Sequence, residues 1–190
     1  MSMDKLRSEL TAFVNALYEG EKKVLVFGDG DVGAPVVMVG EAPGEQETLQ
    51  GRPFVGKAGK NLDAFLEGAG MDRAALYVTN AVKFRPTKLS PAGRVVNRPP
   101  TQEEVRLFLP FLKKEIALVD PKCVITLGNV PLKALTDPKW VIGDVHGQLI
   151  DWEGRMLFPM YHPASVIYNP SLREVYRRDI EAFARWYKKL

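Results

Sequence analysis

Four short, almost wholly apolar runs limit what this chain can fold into: Val36 to Gly40, Leu76 to Val82, Cys123 to Leu127 and Met156 to Tyr161. A continuous apolar run without alternation is the pattern of a strand buried on both faces, as found in parallel sheets. Between the runs the apolar spacing becomes helical, over Lys60 to Glu67, Thr101 to Val119 and Asn129 to Leu135. Leu6, Leu10, Phe13 or Val14, and Leu17 predict an amphipathic N-terminal helix ending near Gly20, and VLVFGDGD from Val24 reads as a short strand and turn. A last helix from about Ser171 presents Leu172, Val175 or Tyr176, Ile180, Phe183 and Tyr187 on one side. Strands alternating with helices predict an α/β fold, a three-layer αβα arrangement around a mainly parallel sheet. No repeat or shift in composition divides the chain, so residues 1–190 are expected to form one domain.

Thr101 and Glu104 form a T-x-x-E capping box, which fixes the start of the long helix. Pro110 lies inside that helix and is expected to kink or divide it, since an interior proline costs about 3 kcal/mol. The single cysteine, Cys123, excludes an internal disulfide, and no signal-peptide pattern or long apolar span is present. A monomeric cytoplasmic protein without membrane contact is the expectation. The net charge is only +3, but Lys83, Arg85, Lys88, Arg94 and Arg98 fall within one stretch that contains no acidic residue. Such a segment attracts phosphates.

The segment Gly51 to Ala58, GRPFVGKA, comes close to the phosphate-binding pattern G-x-x-x-x-G-K-[ST]. It fails on each physical requirement. Glu45, Gln46 and Glu47 stand where a buried strand should lead in, Pro53 and Phe54 occupy the loop, and Ala58 replaces the magnesium-binding hydroxyl. Phe54 is the informative residue instead, because a ring held in a glycine-rich loop can stack on a planar base, worth about 1–3 kcal/mol.

In a parallel α/β sheet, functional groups collect beyond the carboxyl ends of the strands. The segments there are Glu41-Ala-Pro-Gly, Asn80-Ala-Val-Lys, Gly128-Asn and His162-Pro-Ala-Ser. Asn80 offers a donor and an acceptor side by side, which matches the carbonyl and N–H of a pyrimidine edge. One carboxylate, one amide, one imidazole and one aromatic ring are thereby predicted to share a cleft.

The motifs GEAPG (40–44), GRPFVGKAG (51–59), TNAVKFRP (79–86), NRPPTQEE (97–104) and FPMYHPASV (158–166) resemble, in order and spacing, the uracil-DNA glycosylase superfamily, most closely its family-4 thermostable type. The resemblance runs from about Val26 to Phe183. It implies a central four-stranded sheet and a DNA-repair hydrolase that flips uracil out of single- or double-stranded DNA and hydrolyses its N-glycosidic bond, leaving an abasic site. By position it implies that Phe54 stacks on uracil and Asn80 reads its polar edge. It further implies that Glu47 lies near C5, that Ala42 contributes a backbone contact and that His162 donates toward O2. Glu41 is the candidate for positioning water and stabilising the sugar cation. Pro163 to Ile167 resembles the segment that wedges into the duplex, with Val166 or Ile167 as apolar wedge and Ser165 near a phosphate. Lys83 and Arg85 are then DNA contacts.

The chain departs from the family in one respect: the four cysteines that usually hold a four-iron cluster are absent. Phe84 and Phe108 stand where the middle pair is expected, and the N-terminal pair is missing from ALYEGEKK. One cysteine cannot ligate a cluster, so no cofactor or metal is expected, with the two phenylalanines filling the vacated volume. Two other functions stay open at this level: a glycosylase for hypoxanthine or xanthine, and a non-catalytic nucleic-acid-binding relative.

Overall fold

The computed structural model describes residues 1–190. In chain order the elements are α1 (Met3–Leu17), β1 (Asp29–Gly30), β2 (Val36–Gly40), α2 (Glu45–Gln50), α3 (Lys57–Gly68), β3 (Tyr77–Asn80), β4 (Thr87–Leu89), β5 (Val95–Asn97), α4 (Gln102–Val119), β6 (Cys123–Leu127), α5 (Asn129–Leu135), α6 (Ile142–Val145), β7 (Ile150–Trp152), β8 (Arg155–Met160), α7 (Ser165–Tyr168) and α8 (Leu172–Tyr187). The main sheet has the order β1-β3-β2-β6-β8-β7. Its four central strands are parallel and both edge strands antiparallel. The expected four-stranded sheet is therefore the middle of a six-stranded one. The added edges are two and three residues long, too short to carry a readable period. The strand expected from Val24 is displaced to Asp29–Gly30, and Val26 instead bonds its N–H to the carbonyl of Lys83 at 2.7 Å.

Every residue of β2, β3 and β6 is buried, the outcome that unbroken apolar runs require. Side chains alternate between two packed layers. Met38, Val78, Ile125 and Phe158 join Leu62 and Leu66 of α3 and Tyr176, Ile180 and Phe183 of α8. Val37, Val39, Val124 and Leu157 point the other way, onto Leu112 and Ile116 of α4 and Leu132 and Leu135 of α5. A third, smaller cluster joins α1 to α4 through Leu10, Val14, Val82, Phe84 and Phe108.

Helix α4 starts at Thr101, whose hydroxyl accepts from the Glu104 N–H at 3.1 Å while the Glu104 carboxylate accepts from the Thr101 N–H at 2.7 Å. Pro110 does not divide it. The ring sits on the exposed face, where the carbonyl it leaves without a helical donor can be hydrated. Besides β7, five elements have no counterpart in the pattern reading: α2, the hairpin strands β4 and β5, α6 and α7. Each spans three to six residues per element, below the length at which periodicity discriminates.

Candidate active site

The registers Val37 beside Tyr77 and Gly40 beside Asn80 bring the ends of β2 and β3 level, and Leu127 beside Met160 does the same for β6 and β8. Beyond these ends lies an open cavity of about 580 Å³, within the range of small-molecule sites. Ala42, Glu47, Phe54, Asn80 and His162, drawn from three separate stretches of the chain, all line it. The expected convergence is present for these residues, whereas Glu41, Gly128 and Asn129 are not in the lining.

Phe54 holds a left-handed backbone (φ 54°), which is uncommon for a bulky residue and persists only where its surroundings enforce it. Three contacts do so. Arg73 donates to the carbonyls of Phe54 (2.8 Å) and Pro53 (2.7 Å) and pairs with Asp63 (2.7 Å). Gly59, in the first turn of α3, lies directly against the Phe54 carbonyl, with no room for a β-carbon. Glu47 accepts from the N–H groups of Val55 (3.0 Å), Gly56 (2.7 Å) and Gly44 (3.1 Å). The phosphate-loop lookalike is consequently filled by the chain's own carboxylate, which leaves its N–H groups at residues 55 and 56 unavailable to a phosphate.

Phe54 is 4% exposed and Asn80 3% exposed. The Phe54 ring and the Asn80 amide both rest on Gly40, where any β-carbon would collide with them. The Asn80 side chain makes no hydrogen bond within the protein, although it is buried and faces the cavity. Its amide atoms open onto the cavity without a partner from the protein, so donor and acceptor are both free to meet a ligand there.

His162 ends the turn after β8, packed over Gly128, with its ring centroid 5.9 Å from that of Phe54. Its Nδ1 accepts from the Ala164 N–H at 3.1 Å. Burial pulls its pKa down to about 4, while the charge of Glu47 acts weakly in the opposite direction. The imidazole is therefore neutral at pH 7, and an accepting Nδ1 puts its proton on Nε2. Glu41 follows β2 directly but is not part of the cavity lining. Its half-buried carboxylate has no partner in the protein, and burial raises its pKa above the ordinary value.

The expected DNA contacts divide. Lys83 is not at the surface: it is 2% exposed and ion-paired with Glu115 of α4. Its place in a basic run hid the fact that it points inward from a buried turn. Val166 is likewise no wedge, being 2% exposed and part of the core cluster that includes Val78 and Phe183. Ile167 (44% exposed) and Tyr168 (86% exposed), the latter unforeseen, stand at the cavity mouth instead. Ser165 opens α7 half-exposed, with its hydroxyl unpartnered. Arg85 is at the rim, donating to Asn97 at 2.6 Å and reaching Glu45 at 3.4 Å. Arg98 is committed to Glu104 at 2.7 and 2.8 Å, whereas Lys88 and Arg94 are exposed and unpaired on the hairpin.

The region where the resemblance places an iron cluster does not suit one. Phe84 packs edge-on to Phe108 (5.6 Å between centroids) and to Tyr18 (5.4 Å), and the Lys23 ammonium lies over the Tyr18 and Phe84 rings at 4.7 and 5.1 Å. No thiol is within this group, since Cys123 is buried in β6.

The fold and site together define an α/β protein with a base-sized recess at the carboxyl edge of a parallel sheet, walled by a ring, an unpaired amide and a neutral imidazole. The chain belongs to the uracil DNA glycosylase superfamily, whose family model matches residues 27–190. A Thermotoga maritima protein named type-4 uracil-DNA glycosylase is 38% identical over 169 residues, covering 87% of this chain and 84% of the relative. A Sulfurisphaera tokodaii protein of the same name is 33% identical over 189 residues, covering 95% and 82% respectively. The crystal structure of wild-type Pedobacter heparinus SMUG2 superposes with a TM-score of 0.56 over 98% of this chain and 83% of that one, at 13% identity, a likeness of fold.

Gly40→Ala should push the Phe54 ring and the Asn80 amide apart. A displacement of about 1 Å costs on the order of 100-fold in rate, so activity should fall by roughly that factor while circular dichroism shows a folded protein. Wild-type activity in a folded variant would contradict this packing.

Proposed function

We propose that this protein is a monofunctional uracil-DNA glycosylase of DNA repair, which takes uracil out of the strand and hydrolyses the bond between base and deoxyribose. The observation that carries the reading is the meeting of Phe54, the unpartnered Asn80 amide and the Nε2–H of a neutral His162 on one cavity. The flipped pyrimidine stacks on the Phe54 ring. Asn80 supplies the donor and acceptor that its amide has found nowhere in the protein, and this return offsets unstacking costs of a few kcal/mol.

As the glycosidic bond lengthens, negative charge gathers on the uracil and positive charge on the sugar. A neutral imidazole donating from Nε2 toward O2 stabilises the first without having to release a full positive charge, and it is set in place before reaction. Glu41 stabilises the second and positions the attacking water; its lack of an internal partner and its position one residue before the cavity wall support that role. Glu47, held by three N–H groups, keeps the wall opposite C5 rigid, so that a methyl group there meets an immovable surface. Lys88 and Arg94 of the hairpin, Arg85 at the rim, and Ile167 and Tyr168 of α7 flank the mouth and are the surface offered to DNA. The aromatic packing of Tyr18, Phe84 and Phe108 supports a fold that holds no iron cluster.

Three outcomes are expected. A uracil-containing oligonucleotide incubated with the protein and then treated with alkali should break at the uracil. Asn80→Ala and His162→Ala should each slow this about 10²–10³-fold with the fold intact, and no break with folded wild-type protein would defeat the proposal. The rate should show no titration with a midpoint near the ordinary histidine value of about 6.5, because His162 is neutral until pH approaches about 4; such a midpoint, abolished by His162→Ala, would refute the neutral-donor role. Purified protein should be colourless and free of stoichiometric iron by elemental analysis, and absorbance near about 400 nm with bound iron would overturn the aromatic replacement.

A further inference from the structure

Behind the Asn80 amide, on the opposite side of β3 from the cavity, is a buried polar group that base chemistry as described above does not use. Lys83 Nζ donates to three acceptors: Thr79 Oγ1 at 2.5 Å, the Asn80 carbonyl at 2.7 Å and Glu115 Oε2 at 2.5 Å. Glu115 accepts in addition from the Tyr77 hydroxyl at 2.9 Å and from Thr79 at 3.1 Å. Lys83 and Glu115 are 2% and 4% exposed.

We infer that Lys83, locked to Glu115, is a positioning residue that aims the Asn80 amide at the base. The geometry supplies the reason. The peptide leaving Asn80 is held at both ends: the Ala81 N–H donates to the Gly40 carbonyl at 2.8 Å, and the Asn80 carbonyl receives the Lys83 ammonium. The first bond alone leaves that peptide free to rock about its N–H. The second fixes its plane, and with it the direction in which the Asn80 side chain leaves the strand. Alternation along β3 puts Tyr77 and Thr79 on the α4 side and Asn80 on the cavity side, so the ammonium acts on the amide only through the backbone. An ammonium has three N–H donors, and all three are engaged, so it has no freedom to turn.

A merely structural pair behaves differently. A buried ion pair is often replaceable by neutral groups of similar volume at little cost in stability, whereas removing one partner strands a buried charge. The contribution of Lys83 should therefore appear in the chemical step rather than in folding. The inference rests on the reading of Asn80 as the group that recognises the base, and its test includes one measurement that does not.

The test compares wild type, Lys83→Met/Glu115→Gln, Asn80→Ala and the triple variant. The glutamine keeps an acceptor for Tyr77 and Thr79 while the Asn80 carbonyl loses its donor. In single-turnover uracil release the double variant should be slower by about tenfold or more, as a sub-ångström misalignment implies, with the half-saturating DNA concentration little changed. In the Asn80→Ala background the same double change should cost almost nothing, because its effect passes through the amide. The Asn80 side-chain amide resonances, identified by their loss in Asn80→Ala, should move in the double variant whether or not uracil is released. A folded double variant with wild-type rate, a rate loss undiminished without Asn80, or unmoved amide resonances would each overturn the inference. Failure of wild type to release uracil would sink the functional proposal and leave the resonance comparison to decide this one. Should the double variant not fold, Thr79→Val removes one acceptor while keeping shape and charge, and the same three readouts apply to it.

Discussion

Burial of the parallel strands on both faces is the constraint from which the site follows. With every residue of β2, β3 and β6 enclosed by helices, side chains along the strands meet only the protein's own groups, and those that can meet a ligand stand where the chain leaves the strands. Register then does the assembly. Because Gly40 is level with Asn80, the last position of β2 must be vacant of side chain for the Phe54 ring and the amide to meet above it. A glycine there is a requirement of volume, not of backbone angle.

The charged residues Glu45 and Lys57 of the cavity lining are exposed, whereas its less exposed wall carries no free charge. Its imidazole is neutral, its unpaired polar group is the Asn80 amide, and the Glu47 carboxylate is satisfied by three N–H groups of its own chain. That carboxylate turns a loop resembling a phosphate cradle into a rigid wall. Rigidity is bought once here, by clamping Phe54 from both sides in a backbone conformation it would otherwise avoid. In the proposed function this ring is a stacking platform that needs no rearrangement when a base arrives.

Away from the cavity, the third core cluster joins separate segments by apolar contact, at the place where the resemblance sets a metal staple. Phe84 follows β3 by four residues and Phe108 lies in α4, so their edge-on contact ties the basic turn and hairpin to the long helix. Tyr18 and Lys23 complete the tie from the N-terminal segment. Ala42, which lines the cavity, packs against this cluster, so scaffold and pocket meet at that residue.

The sequence by itself determined the strand and helix alternation, since unbroken apolar runs and helical spacing each have one physical origin, and it determined which side chains would stand at the strand ends. Val36–Gly40, Cys123–Leu127 and Asn129–Leu135 emerge with the bounds their patterns imply. Only tertiary structure decided which basic and apolar residues face outward. Lys83 and Val166 have the composition of a phosphate contact and a wedge, yet both are buried, while Tyr168 carried no signal and is exposed at the mouth. Direction was illegible there because short turns have no period: whether a side chain points in or out is settled by long-range partners such as Glu115, thirty-two positions from the lysine it neutralises.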